Sequence, residues 1–362
     1  MSNPQNLIAD LQALVECQSP TEDLAACQRV VELAVSIADR VLPSKAESLT
    51  ENGRPIFWWG SKNPDIVLLA HLDTVWPHDS YLPLWSVEGD IARGPGIFDM
   101  KAGFLQAMYA IADIAGASER VALVATTDEE VGSQTSRAFI ERLAKGASAV
   151  LVLEASLNGK VKTGRKGTAM YKITVHGRAS HAGLEPEKGI NATSEIARIV
   201  AHILTLENPE YGTTVVPTTM HSGTTTNTVP ALATLDIDIR SFLASELVRI
   251  DKAVKEISAE HPEARIEISG GINRPPLELT STRELYEKLE AVLANAGLPP
   301  VGHAAVGGAS DGNFAAAAGA PTLDGLGAVG DGAHAPHEQI SLSSIPARVE
   351  MLHLFIKDLL SV

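Results

Sequence analysis

Histidine and carboxylate residues stand in this sequence where short apolar runs end. His71-Leu72-Asp73 follows directly on the run 66–70, Thr127-Asp128-Glu129-Glu130 comes just past 121–125, and Glu154 closes 149–153. If those runs are strands of an open α/β sheet, all three sets lie outside strand carboxyl ends, where such sheets bind ligands. Asp99 lies in a turn, Gly94-Pro95-Gly96-Ile97-Phe98-Asp99-Met100-Lys101, and its two oxygens can each serve a different cation. His334 lies far along the chain in Gly330-Asp331-Gly332-Ala333-His334-Ala335-Pro336-His337-Glu338, with His337 as its rival. Together, His, Asp, Glu, Glu and His form a mixed nitrogen and oxygen donor set that suits zinc.

Each of these residues alone has a plainer reading. His71 and Asp73 are a strand-end histidine beside a turn aspartate, Asp99 is a helix cap, and the acids 128–130 are a solvated loop. Against this, three adjacent acids repel one another unless cations neutralise them. A carboxylate such as Glu154, at the end of a buried strand, needs a partner. Asp73 shares a face with His71 on extended backbone and is placed to fix the orientation of the imidazole.

The elements that must position these residues follow from hydrophobic spacing. Asn3-Pro4 signals a helix start, Leu7, Ile8, Leu11, Leu14 and Val15 continue it at helical spacing, and Ser19-Pro20 ends it. A second helix carries Val30, Val31, Ala34, Val35 and Ala38. Apolar runs at 66–70, 121–125 and 149–153 then alternate with helices near 101–115 and 133–145, which predicts an α/β sandwich with a mostly parallel, mixed sheet between helices.

From about residue 167 the order becomes strand 168–175, helix 191–206, strand 213–220, a strand through Leu235, Ile237 and Ile239, helix 243–260 and strand 264–269. That order, β-α-β-β-α-β, predicts an inserted ferredoxin-like domain. After Arg274-Pro275-Pro276 the helices 282–296 and 345–361 return the chain to the first domain. The expected division is therefore a discontinuous domain, 1–166 and 275–362, and an insertion, 167–274.

With 362 residues, 45% of them hydrophobic, the chain can build two cores. Its 29 Lys+Arg against 44 Asp+Glu give a net charge of −15, which repels nucleic-acid backbones and anionic membranes. No apolar run approaches the ~20 residues of a membrane span, and the start of the chain lacks a basic segment followed by an apolar one. The expectation is a soluble, cytoplasmic protein that binds neither nucleic acid nor membrane. Its two cysteines, Cys17 and Cys27, form no disulfide framework and are expected to be buried and inert.

These motifs, with Gly177-Arg178-Ala179-Ser180-His181-Ala182-Gly183, resemble those of the two-zinc exopeptidases and amidohydrolases that include glutamate carboxypeptidase, aminoacylase, acetylornithine deacetylase and succinyl-diaminopimelate desuccinylase. The resemblance covers nearly the whole chain and looks closest to glutamate carboxypeptidase. It implies two zinc ions per chain, with cobalt or manganese as substitutes, one held by His71, Asp99 and Glu154 and the other by Asp99, Glu130 and His334. It also implies that Glu129 is the general base and that the protein is a homodimer through the inserted domain. His181 would then reach the scissile carbonyl of the partner subunit's site. Asn227, Arg240, Arg274, Gly308 and Ser310 match substrate-contacting positions. The implied substrate is a small peptide-like molecule cut at an amide next to a free carboxylate, or alternatively an N-acyl amino acid. The turn Gly307-Gly308-Ala309-Ser310-Asp311 departs from the family pattern, which carries a third glycine and a threonine there, so substrate choice stays open.

Arg240 also has two readings, a salt bridge to Asp238 in the same strand row or recognition of a substrate carboxylate by its guanidinium fork. Gly325-Leu326-Gly327-Ala328-Val329-Gly330 fits a dinucleotide-binding fingerprint, but no strand, helix and distant acid frame it as that motif requires. A non-catalytic relative would have lost Glu129 or a metal ligand, and none is lost.

Overall fold

The computed structural model of the chain describes residues 4–361, so the cap expected at Asn3 lies outside the described residues. The chain divides into two compact units, Met1–Gly164 with Glu278–Val306 and Ser310–Val362, and Arg165–Leu277 with Gly307–Ala309.

In the first unit the main sheet has the strand order Glu47–Glu51, Arg54–Gly60, Val121–Thr126, Ile66–His71, Ala149–Val152, Thr322–Leu323. The first two strands join antiparallel and the rest pair parallel, so the unit is mixed α/β with a mainly parallel sheet. Ile66, Leu68 and Ala70 pack into one core and Val67 and Leu69 into another on the opposite face. A strand covered on both faces must be apolar throughout, which is why 66–70 reads as a run instead of an alternation. The first core is closed by the helices Leu24–Val41, Ala102–Ile111 and Ile345–Leu360, the second by Arg137–Ala144 and Gly312–Ala317. Asp23 starts Leu24–Val41 by accepting from the N–H groups of Ala25 at 2.9 Å and Ala26 at 3.0 Å.

Three features differ from the expectation. The helix foreseen over 133–145 begins only at Arg137, because Asp128 draws the preceding segment into a turn, accepting from Thr135 N at 2.8 Å and Ser136 N at 3.1 Å. The hairpin Glu47–Glu51 and Arg54–Gly60 was not anticipated, although Asn52-Gly53 between its strands has φ of 49° and 86°, the pair such two-residue turns demand. Cys27 is buried and its thiol is pushed up to about 12 by burial, whereas Cys17 is only partly buried. Among the described residues no helix is long and apolar enough to cross a membrane.

The second unit is a four-stranded antiparallel sheet in the order Thr214–Ser222, Leu232–Ser241, Gly167–His176, Arg265–Arg274. The helices Ala192–Leu204 and Ala244–Lys255 cover one face, packing on Tyr171, Ile173, Leu235, Ile237 and Ile239. Thr234, Asp236, Asp238 and Arg240 alternate with these buried residues on the other face.

Candidate metal centre

Six of the residues singled out in sequence converge in the first unit. His71 ends its strand with the imidazole 1% exposed, and Nδ1 lies 3.1 Å from the backbone carbonyl of Asp73. With that nitrogen donating, Nε2 is the free electron pair, and it faces Asp99 Oδ1 at 3.3 Å and Glu154 Oε1 at 3.9 Å. The other oxygen of Asp99, Oδ2, faces His334 Nε2 at 3.3 Å, and the same nitrogen stands 3.0 Å from Glu130 Oε2. One carboxylate thus divides its oxygens between two imidazoles, each with a further glutamate. Glu129 falls on the first side, with a ligand atom within 4.8 Å of those of His71 and Glu154. Glu130 pairs with His334, while both adjacent acids keep a ligand atom within 4.8 Å of one on His71.

The electrostatics call for cations. Four carboxylates, Asp99, Glu129, Glu130 and Glu154, meet two imidazoles, so the cluster stays negative even with both histidines protonated. Burial alone would lower the pKa of His71, but the Asp73 and Asp99 carboxylates more than reverse this and hold it well above its ordinary value. His334 is pushed up to about 11 by Asp99 and then Glu130. Burial raises Glu130 to about 7, against the pull of His334. Burial opposes ionisation of Asp99 too, yet His334 and His71 hold it below the usual carboxylate range. Protons on the imidazoles stand in for cations that the donor set is built to take, and the residues fit a bridged metal pair.

A surrounding layer fixes the ligands. Asp73 is 0% exposed; its Oδ1 lies 3.4 Å from His71 Nδ1, and its Oδ2 accepts from Thr21 Oγ1 at 2.8 Å and from the Glu130 backbone N–H at 3.2 Å. It therefore holds His71 and Glu130, which lie on either side of Asp99. Asp311 accepts from the hydroxyls of Ser133 and Thr126, pinning the other side of the 127–136 loop. Glu338, which the sequence reading passed over, is 1% exposed and accepts from the N–H groups of Gly96 at 3.0 Å, Phe98 at 3.0 Å and Asp99 at 3.1 Å, and from Trp76 Nε1 at 3.0 Å. The available signal was a buried glycine-proline turn whose N–H groups need an acceptor. His334 itself adopts φ 61°, in the left-handed region that few non-glycine residues occupy. His337 does not join the cluster.

The glycines of the dinucleotide-like motif have a packing role. A Cβ on Gly327 would meet Leu153 O at 2.1 Å and one on Gly330 would meet Gln339 O at 2.0 Å, so both are needed for backbone approach. Gly327 N donates to Glu154 O at 2.9 Å, which ties this stretch to the strand end that carries Glu154.

In the second unit His181 is exposed, and its Nδ1 accepts from Gly183 N and Leu184 N, each at 3.1 Å. The neutral ring then carries its proton on Nε2, as an outward donor. Asn227 lies beside it, its carbonyl accepting from Ala182 N at 2.9 Å. Arg240 forks onto Asp238 at 2.9 and 3.2 Å and reaches the Gly307 carbonyl at 3.3 Å, so the strand-row salt bridge is formed. Lys166 was missed in sequence; burial and then the neighbouring Arg240 lower its pKa. Arg274 is 5% exposed, and the Gly308 carbonyl accepts from Arg165 at 3.2 Å. Ser310, in the first unit, is fully buried with its hydroxyl committed to Asp324 Oδ2 at 2.6 Å.

Acids and imidazoles arranged about a shared carboxylate, at the carboxyl ends of a mainly parallel sheet, define a metal-dependent hydrolase. The profile of peptidase family M20/M25/M40 matches residues 67–358, and the chain belongs to that family as a metallopeptidase or amidohydrolase. It is 30% identical to carboxypeptidase G2 of Pseudomonas sp. (strain RS-16) over 98% of this chain and 89% of that protein. It is 25% identical to the succinyl-diaminopimelate desuccinylase of Sulfurovum sp. (strain NBC37-1) over 82% of this chain and 84% of that one. The fold is shared with the crystal structure of aminopeptidase PepT from Bacillus cereus ATCC 10987, at TM-score 0.78 and 20% identity over 99% of each chain.

Proposed function

We propose that the protein is a two-zinc hydrolase that cleaves an amide or peptide bond next to a free carboxylate, as a glutamate-carboxypeptidase-like enzyme. The observation that carries this reading is the division of the Asp99 oxygens between His71 and His334. His71, Asp99 and Glu154 would hold one ion, and Asp99, Glu130 and His334 the other. A zinc pair supplies Lewis acidity there, drawing electron density from a water and from the scissile carbonyl.

Glu129 takes the proton of the attacking water on a carboxylate oxygen. The water oxygen bonds to the carbonyl carbon, the C–N bond breaks, and Glu129 passes the proton to the leaving nitrogen. Asp73 keeps the His71 tautomer and the Glu130 backbone in place. His181 of the partner subunit would donate from Nε2 to the developing oxyanion, in a homodimer made through a ferredoxin-like second unit. Lys166, its pKa lowered by burial and then by Arg240, and Arg240 itself are cations suited to the substrate carboxylate, and Asn227, Arg274, Gly308 and Ser310 would be further substrate contacts, as the family resemblance implies.

The test is Glu129→Gln in zinc-loaded protein, which preserves size and removes the proton acceptor. Metal content by atomic absorption should stay at two ions per chain while kcat on a carboxyl-terminal glutamate dipeptide drops ~10²–10⁴-fold. Near wild-type turnover with normal metal content would reassign the base, and a single bound ion would refute the bridged pair.

A further inference from the structure

The first unit carries a cavity of about 300 Å³ that no residue of the metal cluster lines. It is bordered by the helices Leu279–Asn295 and Ile345–Leu360, by the segment that follows the first of them, and by the turn at Asn158 and Gly159. Leu293, Leu298, Val301 and Met351 form apolar walls, and Arg348 and Glu350 join them from the helix Ile345–Leu360. The volume stands at the lower end of the ~300–1,000 Å³ range of small-ligand pockets, room for one compact molecule.

Arg348 is 5% exposed and has no carboxylate partner. Its Nε donates to Gly327 O at 2.7 Å, Nη1 to Gly159 O at 3.0 Å and to Met351 Sδ at 3.7 Å, and Nη2 to Gly325 O at 2.8 Å. These neutral acceptors take four of the five N–H groups of a guanidinium and leave its charge buried without a counter-ion. Burial lowers its pKa to about 10, so at neutral pH it remains a cation. The helix that carries it begins here without a side-chain cap, the Ser344 hydroxyl donating instead to Ser341 O at 2.7 Å, and the positive end of its dipole adds to the charge. At the end of Leu279–Asn295 the carbonyls of Val292, Leu293 and Ala294 accept from the N–H groups of Ala296, Leu298 and Gly297, which offsets the negative end of that helix. Glu350 is half-buried and, among the described residues, pairs with no cation. Side chains two apart on a helix do not face each other, so the cavity meets opposite charges at two separate places.

We propose that this cavity binds a free apolar α-amino acid, with its carboxylate on Arg348, its ammonium on Glu350 and its side chain against Leu293, Leu298, Val301 and Met351. The carboxylate supplies the counter-ion that three carbonyls do not, and accepts from the fifth N–H. A simple carboxylic acid would leave Glu350 without a cation, and an amine would leave Arg348 without an anion. The three carbonyls also fix the guanidinium before a ligand arrives, which lowers the entropy lost on binding.

The test is titration calorimetry of the zinc-loaded full chain with three molecules that share one apolar body: L-leucine, isocaproate, which lacks the ammonium, and isoamylamine, which lacks the carboxylate. Leucine should fill a single saturable site per chain, ~10-fold more tightly than isoamylamine and ~3-fold more tightly than isocaproate. Ala347→Trp, at an exposed position on the cavity, blocks it without touching the Arg348 hydrogen bonds and should abolish that site. Glu350→Gln should weaken leucine ~3-fold, to the affinity of isocaproate. Saturating leucine should raise the Tm of the wild type and leave that of Ala347→Trp unmoved. No saturable leucine site, leucine binding that Ala347→Trp leaves intact, or equal affinity for all three molecules overturns the proposal. Leucine and isocaproate binding alike, with Glu350→Gln without effect, overturns the amino-acid assignment. Circular dichroism checks that each variant is folded, and Glu350→Gln with the three molecules decides the matter if Ala347→Trp is not. None of these measurements depends on turnover.

Discussion

A single carboxylate, Glu338, ties together three stretches far apart in sequence: the turn that carries Asp99, the indole of Trp76, and the segment that carries His334. Its proton acceptors are all taken by N–H donors, so Glu338→Gln would turn an amide NH₂ toward backbone N–H groups. We expect a loss of about 1–3 kcal/mol in stability and a 10–100-fold weaker zinc affinity, read by chelator titration. Unchanged affinity would reduce Glu338 to a structural residue. The histidines give a second expectation. In metal-free protein the pKa of His334 is about 11 against an ordinary 6.5, so its stabilisation is fully present below 6.5 and is lost as pH rises toward 11. The Tm difference between chelator-treated wild type and His334→Gln should be largest near pH 6 and shrink with rising pH. Zinc must displace these protons, so adding it to weakly buffered protein should release acid, and apparent affinity should rise with pH. A Tm difference that grows with pH, or binding without proton release, would contradict the assignment.

The strand that ends in His71 shows how elements made the site legible. Its apolar run marks burial on both faces, and polarity returns only at the sheet's carboxyl edge, so a continuous run followed by His-x-Asp located both the strand and the histidine of the candidate centre. The same logic found Glu130 and Glu154. It was silent where the determining partner is backbone: the context of the glycines excluded a dinucleotide loop, but nothing in the side chains announced that Gly327 must let Leu153 and Glu154 pass close by. For Arg240 the strand alternation fixed its face and offered two partners, Asp238 or a substrate carboxylate, and Asp238 lies beneath the fork. Gly327→Val should therefore destabilise the protein by ~2–4 kcal/mol, because its Cβ would press on Leu153 O at 2.1 Å, and should lower zinc content by moving Glu154. Gly271→Ala, whose Cβ would meet nothing closer than 4.0 Å, is the control and should fall within about 1 kcal/mol of wild type in urea melts. Equal effects of the two substitutions would refute the close-approach account.

For the whole molecule, at a net charge of −15, the second unit holds two neighbouring cations, Arg240 and a Lys166 whose pKa is lowered by burial and then by Arg240. Its sheet ends on two edge strands, Thr214–Ser222 and Arg265–Arg274, and pairing of two copies through this unit would cover such edges in a two-fold dimer. His181, with Nδ1 accepting from the Gly183 and Leu184 N–H groups, keeps Nε2 as the nitrogen that can donate a proton. If it serves the site of the other subunit, two inactive variants can repair each other. His181→Ala and Glu129→Gln chains, mixed under conditions that exchange subunits, give a heterodimer in which one site carries both defects and the other carries neither. In an equal statistical mixture half the dimers are mixed and half of their sites intact, so activity should recover to about a quarter of wild type. Recovery to that level, with exchange verified by mass spectrometry of tagged chains, places His181 across the dimer. No recovery despite exchange means that it acts within its own chain, where each heterodimer site would still carry one defect, and a monomer in sedimentation would remove the proposal altogether.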